Sequence, residues 1–354
     1  MLSIVQATEK KILDFMQTVK RNTNILVRLL PILSFIIPFI ILYYTYPSSF
    51  EETWKGRTYY LFFIWLVFLE TILSWEELET SKISKLRSKR AIGLIIFLLL
   101  PTFYVIITNF LGLNSAIAQW YTQYMGPSLS AEEINWFAPL MPLSIEYFVF
   151  GVIFISIQVI THGKKGLTNF SISTSLLFAI GTFYIIDNLY PYGRIAPLQY
   201  PALPTTTLAA NVLSLMGYQT KISIGTDPYY GWMPILSAWD PKNPMKYATF
   251  GIGWPCAGVE SLLLYTITIL LFLKKSNISL KQRVVYFMFG AIVTYFINIL
   301  RIATIFVIAM NTGVGSLQTQ RFHEYYGPLY SIIWIISYPL IMIGSRALWR
   351  KIKN

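Results

Sequence analysis

One cysteine, Cys256, and two histidines, His162 and His323, are all that this 354-residue chain holds of those two metal-binding and nucleophilic side-chain types. A single cysteine excludes an internal disulfide, so the redox compartment is not readable from cysteine spacing and the thiol is either packing or chemistry. Cys-x-x-Cys, His-x-x-x-His and His-Glu-x-x-His are absent, which leaves no metal-ligand spacing, and no glycine-rich phosphate loop occurs either. We therefore expect no metal and no cofactor. Charge is scarce too: Asp, Glu, Lys and Arg make up 12% of the residues, with 16 acidic against 28 basic.

What is abundant is apolar surface. At 55% hydrophobic the chain is too apolar for a soluble domain of its length, and several runs of about 20 apolar residues match the bilayer core. The composition predicts an all-α polytopic membrane protein with about eight transmembrane helices, near 29–46, 58–75, 91–111, 144–161, 168–190, 257–273, 284–308 and 328–348. The net charge of +12 then speaks of topology and not of nucleic acid. With the N-terminus inside, inner segments hold 20 of the 28 Lys and Arg, outer segments hold seven, and Arg301 lies within a span. That asymmetry places both termini in the cytoplasm of a multi-pass cell-membrane protein. No small-residue cleavage site follows the first apolar run, so the start is expected to be uncleaved.

The organisation expected is a cytoplasmic segment over 1–28, a five-span region over 29–190, an outer loop over 191–255, a three-span region over 256–348 and a basic tail over 349–354. The outer segment 112–143 has no Lys or Arg and reads as a loop lying on the membrane surface. In 191–255 the pattern predicts a short interfacial or re-entrant helix over 205–216, capped by Gly217. Strand-like alternation follows over 218–224, turns at Gly225, Pro228, Gly231 and Pro241, and a returning strand over 247–252. A small extracytoplasmic β element thus leads into Cys256.

Three residues near the outer face form the candidate site. Cys256 follows Pro255 at the head of a span, where exposed helix N–H groups favour the thiolate, although Glu260 opposes this. Arg301 lies about seventeen residues into the next span, at a similar depth. An intramembrane arginine costs about 2.5 to 3.5 kcal/mol at the bilayer centre and points to function, its bland alternative being a snorkelling anchor. Asn298, one turn earlier on the same face, is placed to hold the guanidinium or a substrate amide. His323 precedes the last span, and imidazole is the usual base for a thiol, with Glu324 a candidate to orient it. Cys256 and His323 alone read more readily as packing or structure, whereas Arg301 alone already points to function. Their coincidence on one membrane face favours chemistry, from which His162, predicted to be cytoplasmic, is excluded.

Cys256-Ala257-Gly258, Asn298-Ile299-Leu300-Arg301 and His323 with Gly327 resemble the C-A/S-G, N-x-x-R and H-x-x-x-G motifs of the exosortase and archaeosortase family. The likeness covers about 202–340. It implies a membrane cysteine transpeptidase that removes C-terminal sorting signals from secreted proteins, the signal being a recognition motif, a hydrophobic helix and a basic tail. Cys256 would form a thioester, His323 would manage the proton, Arg301 would stabilise the oxyanion or position the substrate, and a lipid head group or other nucleophile would release the product. Some archaeal members carry arginine at the third position, which makes Arg321 a rival of His323. Two other readings compete: a transporter with Arg301, Glu70, Glu146 and Asp187 along its pathway, and a purely hydrolytic intramembrane protease.

Overall fold

A computed structural model describes residues 25, 28–52, 55–75, 77, 78, 89–189, 199–227, 231–275 and 278–353. The expected basic segments before residue 22 and over 82–88, and Arg194, lie outside the described residues. The chain is mostly helical, in the order α1 (Arg28–Thr45), α2 (Thr58–Leu73), α3 (Lys89–Phe110), α4 (Leu113–Met125), α5 (Ala131–Phe137), α6 (Met141–His162), α7 (Lys164–Asn169) and α8 (Ser171–Leu189). Then come α9 (Ala202–Leu215), strands β1 (Gln219–Asp227), β2 (Gly231–Asp240) and β3 (Asn243–Gly251), and α10 (Val259–Lys275), α11 (Leu280–Thr312), α12 (Leu317–Arg321) and α13 (Gly327–Lys353).

Helices stand at all eight expected positions, but among the described residues five segments are long and apolar enough to cross a membrane: Arg28–Thr45, Ile92–Phe110, Ala131–His162, Ser171–Leu189 and Leu280–Thr312. Thr58–Leu73, at 16 residues, and the apolar part of α10, Val259–Leu270, fall short of the roughly 20 residues a perpendicular crossing needs. The segment expected as a surface loop over 112–143 is largely helical. Its α5 starts in a capping box, in which Ser130 and Glu133 each accept from the other's backbone N–H.

The chain divides into two compact units. The first, Met1–Tyr46, Tyr60–Asn114 and Glu146–Phe178, has an aromatic core in which Phe39 stacks on Tyr60 at 4.7 Å and Phe35 meets Phe150 edge-on at 5.4 Å. Its buried carboxylates have structural partners. Glu70 accepts from the backbone N–H groups of Ile172 and Ser173 at the start of α8, and Glu146 accepts from the Tyr60 hydroxyl at 2.9 Å.

The second unit, Pro47–Tyr59, Ser115–Ile145 and Ala179–Asn354, contains the sheet and every residue of the candidate site. Its core joins α9 through Ala209 and Leu213, one sheet face through Leu236, Ala238, Ala248 and Ile252, and α11 through Ile302, Ala303, Phe306 and Ala309. Gly217 closes α9 with φ +93°, as its place after the apolar run requires. The sheet is antiparallel in the order β1-β2-β3, so it has one strand more than the pattern predicts. Strand β2 occupies the stretch between the turns expected at Gly231 and Pro241, and its Pro234 masks it. The proline is tolerated because its carbonyl still accepts from Ile252 N–H, where β3 is ending. Gly225 lies inside β1, where a Cβ would meet Ile235 Cδ1 at 2.4 Å. Asp187, the carboxylate of α8, is buried in an ion pair with Lys55.

Candidate active site

The turn that bears the thiol is held by its backbone. Cys256 lies in a 3₁₀ turn, Trp254–Ala257, with Pro255 setting its entry, and Gly258 (φ +85°) reverses the chain before α10 starts at Val259. Three side chains from other elements grip this turn. Gln199 Oε1 accepts from Trp254 N–H at 3.0 Å, Asn298 Nδ2 donates to the Cys256 carbonyl at 2.9 Å, and the Thr205 hydroxyl donates to the Ala257 carbonyl at 3.3 Å. Asn298 thus holds the nucleophile's backbone and not the guanidinium. A Cβ at Gly258 would meet Asn298 Nδ2 at 3.0 Å, so the missing side chain admits the asparagine as well as the turn.

Arg301 stands one turn beyond Asn298 on α11, on the same face. One of its terminal nitrogens donates to the His323 carbonyl at 2.9 Å, while its Nε is buried with no hydrogen-bond partner. The arginine passes against Gly327, where a Cβ would come within 2.8 Å of Nε. His323 belongs to a π-helical turn, Phe322–Tyr326, that opens directly into α13. Such turns widen the helix and recur at functional sites. Its Nε2 lies 3.9 Å from Cys256 Sγ, a long hydrogen bond to sulfur. Three residues drawn from three segments therefore meet: a thiol, an imidazole beside it, and a guanidinium that fixes the imidazole's backbone.

The electrostatics differ from the expectation for a thiol at a helix N-terminus. Burial raises the Cys256 pKa above its ordinary value, Glu260 adds to that, and Arg301 acts the other way. The reason is local, since the first α-helical residue is Val259 and the Cys256 N–H is spent on the Gly253 carbonyl at 3.1 Å. His323 has an exposed outer face, yet enclosure of its ring and the Arg301 charge lower its pKa from 6.5 to about 4. The resting pair is a neutral thiol and a neutral imidazole.

Arg321 sits exposed at the end of α12, and no hydrogen bond joins it to Cys256 among the described residues. Glu324 makes no hydrogen bond to His323 and instead lies within electrostatic reach of Glu52. Two partners escaped the sequence reading. Tyr59, at the start of α2, donates its hydroxyl to Glu260 Oε1, and Thr205 supports the turn from α9. A tyrosine in an apolar run carries no local mark of such a role, whereas Glu260 inside an apolar run does. Among the described residues no cluster of His, Cys, Asp and Glu is arranged to hold a metal.

The family model described as transmembrane exosortase matches residues 53–341, most of the chain. No curated protein and no solved structure matches it.

Proposed function

Because the chain belongs to the transmembrane exosortase family, a multi-pass membrane family, we propose that it is a cysteine transpeptidase that cleaves C-terminal sorting signals from secreted proteins and passes them to an acceptor. The observation that carries this reading is the 3.9 Å approach of Cys256 Sγ to His323 Nε2, with Arg301 bonded to His323 and holding a free buried donor.

In this reading the Sγ proton moves to His323 Nε2 as sulfur bonds to the scissile carbonyl carbon, and the carbonyl electron pair moves onto oxygen. Arg301 stabilises that oxyanion, a role for which one donor is worth about 2.7 to 4 kcal/mol of barrier. The tetrahedral centre collapses, the C–N bond breaks, and the imidazolium returns its proton to the leaving amine. A thioester on Cys256 remains for an acceptor, either a lipid head group or water. The long Sγ–Nε2 distance suits a resting site that tightens on substrate. Eight crossings, read from the apolar runs, with both termini cytoplasmic and the site at the outer face, read from the distribution of Lys and Arg, complete the proposal. A transport pathway through Glu70, Glu146 and Asp187 is disfavoured because each carboxylate is engaged by a structural partner.

The test is co-expression of wild type or Cys256→Ala with secreted proteins that end in an apolar span and a basic tail, followed by intact mass of those proteins. Loss of the tail with wild type alone supports the reading, and the mass that remains distinguishes lipid transfer from hydrolysis. An intact tail in both, across several such proteins, overturns it.

A further inference from the structure

Strand β3 is an edge. Among the described residues it pairs with β2 alone, and an antiparallel pairing uses the backbone of every second residue. The Ile252 N–H bonds to the Pro234 carbonyl, so the registered pairs Phe250–Leu236 and Ala248–Ala238 bond in the same phase. The N–H and C=O groups of Gly251, Thr249 and Tyr247 therefore point away from the sheet. All three residues are exposed, and among the described residues no backbone bond outside the ladder reaches them. Edges are ordinarily guarded by lysine, proline or a bulge. Here the guards stand at the far end of the strand, in Pro244, Lys246 and the register shift opposite them, while 247–251 carries neither charge nor proline. The other edge, β1, has Lys221 within it.

The unguarded end is the one next to the nucleophile. Gly251 precedes Cys256 by five positions, at most about 18 Å of extended chain. Helix α11 holds the buried face of the same stretch through Phe306, whose ring lies 5.0 Å from that of Phe250, and its Asn298 holds the Cys256 carbonyl, so edge and thiol are fixed to one helix. We propose that the free edge of β3 over 247–251 binds an extended peptide as a fourth strand and leads it to Cys256, the peptide being the segment that precedes the C-terminal span of a substrate. The identity of this occupant rests on the function proposed above. Backbone bonds to Tyr247, Thr249 and Gly251 supply the affinity. Every second side chain of the peptide then lies beside Tyr247 or Thr249, on the sheet face that also carries Trp239 and Ser237. The peptide runs parallel to β3, because α10 follows β3 as the apolar span follows the peptide.

The experiment uses purified full-length Cys256→Ala protein and short labelled peptides that copy the segment ahead of the apolar span in the co-expressed secreted proteins, with binding read by fluorescence anisotropy. In that background Thr249→Pro removes an outward N–H and leaves the ladder to β2 intact, so Kd should rise about tenfold or more. Ile224→Pro removes an outward N–H from the β1 edge and should leave Kd unchanged. Methylating the peptide's backbone nitrogens one at a time, with β3 unaltered, should weaken binding at alternate residues only, a readout that does not depend on how any variant folds. Thr249→Pro with no more effect than Ile224→Pro, or methylation without a period of two, overturns the proposal. So does the absence of binding by every peptide, whether or not the parent proteins are processed. A dimer that Thr249→Pro dissociates in sedimentation, and that no peptide competes away, would assign the edge to a second copy of the chain and overturn it too. Alternating, Thr249-dependent binding with no protein ever processed would overturn the proposed function and leave this inference standing.

Discussion

At the scale of single residues, the site divides its labour between groups that react and groups that make room. Cys256→Ser replaces the thiol by an alcohol of far higher pKa, so processing is expected to fall to the level of Cys256→Ala, as read by product mass. Arg301→Lys keeps a charge but loses the fork that holds the His323 carbonyl and still presents Nε; processing should fall about 100-fold or more, as for the loss of an oxyanion donor. Gly327→Ala tests the room, because its Cβ would press on Arg301 Nε at 2.8 Å. We expect most processing to be lost while alkylation of Cys256 persists, since the turn that holds the thiol is untouched. The imidazole sets a pH signature. A base whose pKa is lowered stays unprotonated to lower pH, so with His323 moved from 6.5 to about 4 the acid limb of kcat/KM lies below that of an ordinary histidine. A limb centred near 6.5 would mean that the imidazole pKa of the free enzyme is not lowered by its enclosure or by Arg301.

Among the elements, the sheet is the part whose pairing decides whether the nucleophile's turn is placed at all. Ile252 N–H reaches Pro234, so alternate residues back along β3, Phe250 and Ala248, also turn their N–H groups toward β2, while the N–H of Thr249 points away from it. Thr249→Pro therefore costs only the hydroxyl contact with Ser237, about 1 kcal/mol, whereas Ala248→Pro removes a ladder bond in the buried core. Limited proteolysis and thermal unfolding should find Thr249→Pro close to wild type and Ala248→Pro unfolded around β3. The motifs fall where elements end or meet. Gly258 and Asn298 join the thiol's turn to α11, and Gly327 joins α13 to the same helix through Arg301.

For the whole molecule, the distribution of basic residues predicts a topology that can be checked without a substrate. Green fluorescent protein fused after Asn354 should fluoresce, and a membrane-impermeant maleimide added outside intact cells should label Cys256. Labelling only after the membrane is opened would reverse the orientation and with it the side on which a secreted substrate meets the thiol.

The sequence by itself determined the membrane class, the candidate triad, the short helix that Gly217 caps, and the family. Apolar runs, a charge inside one of them, and motifs at span ends are local signals that survive without coordinates. Asn298 and Arg301 could be paired on one face because their spacing of three is a helical turn. Only the tertiary structure decided the rest. Among the described residues five helices meet the length and composition needed to cross, and at two of the other three expected spans, Thr58–Leu73 and the apolar part of α10, the helix is short. Strand β2 was hidden because proline and glycine mark turns in sequence, while pairing with β3 supplied the bond that Pro234 needs. Tyr59 met Glu260 across 201 positions of chain, and the resting thiol is neutral because burial outweighs the nearby guanidinium. Pairing, burial and long-range contact depend on what the fold brings alongside, which no local pattern of residues encodes.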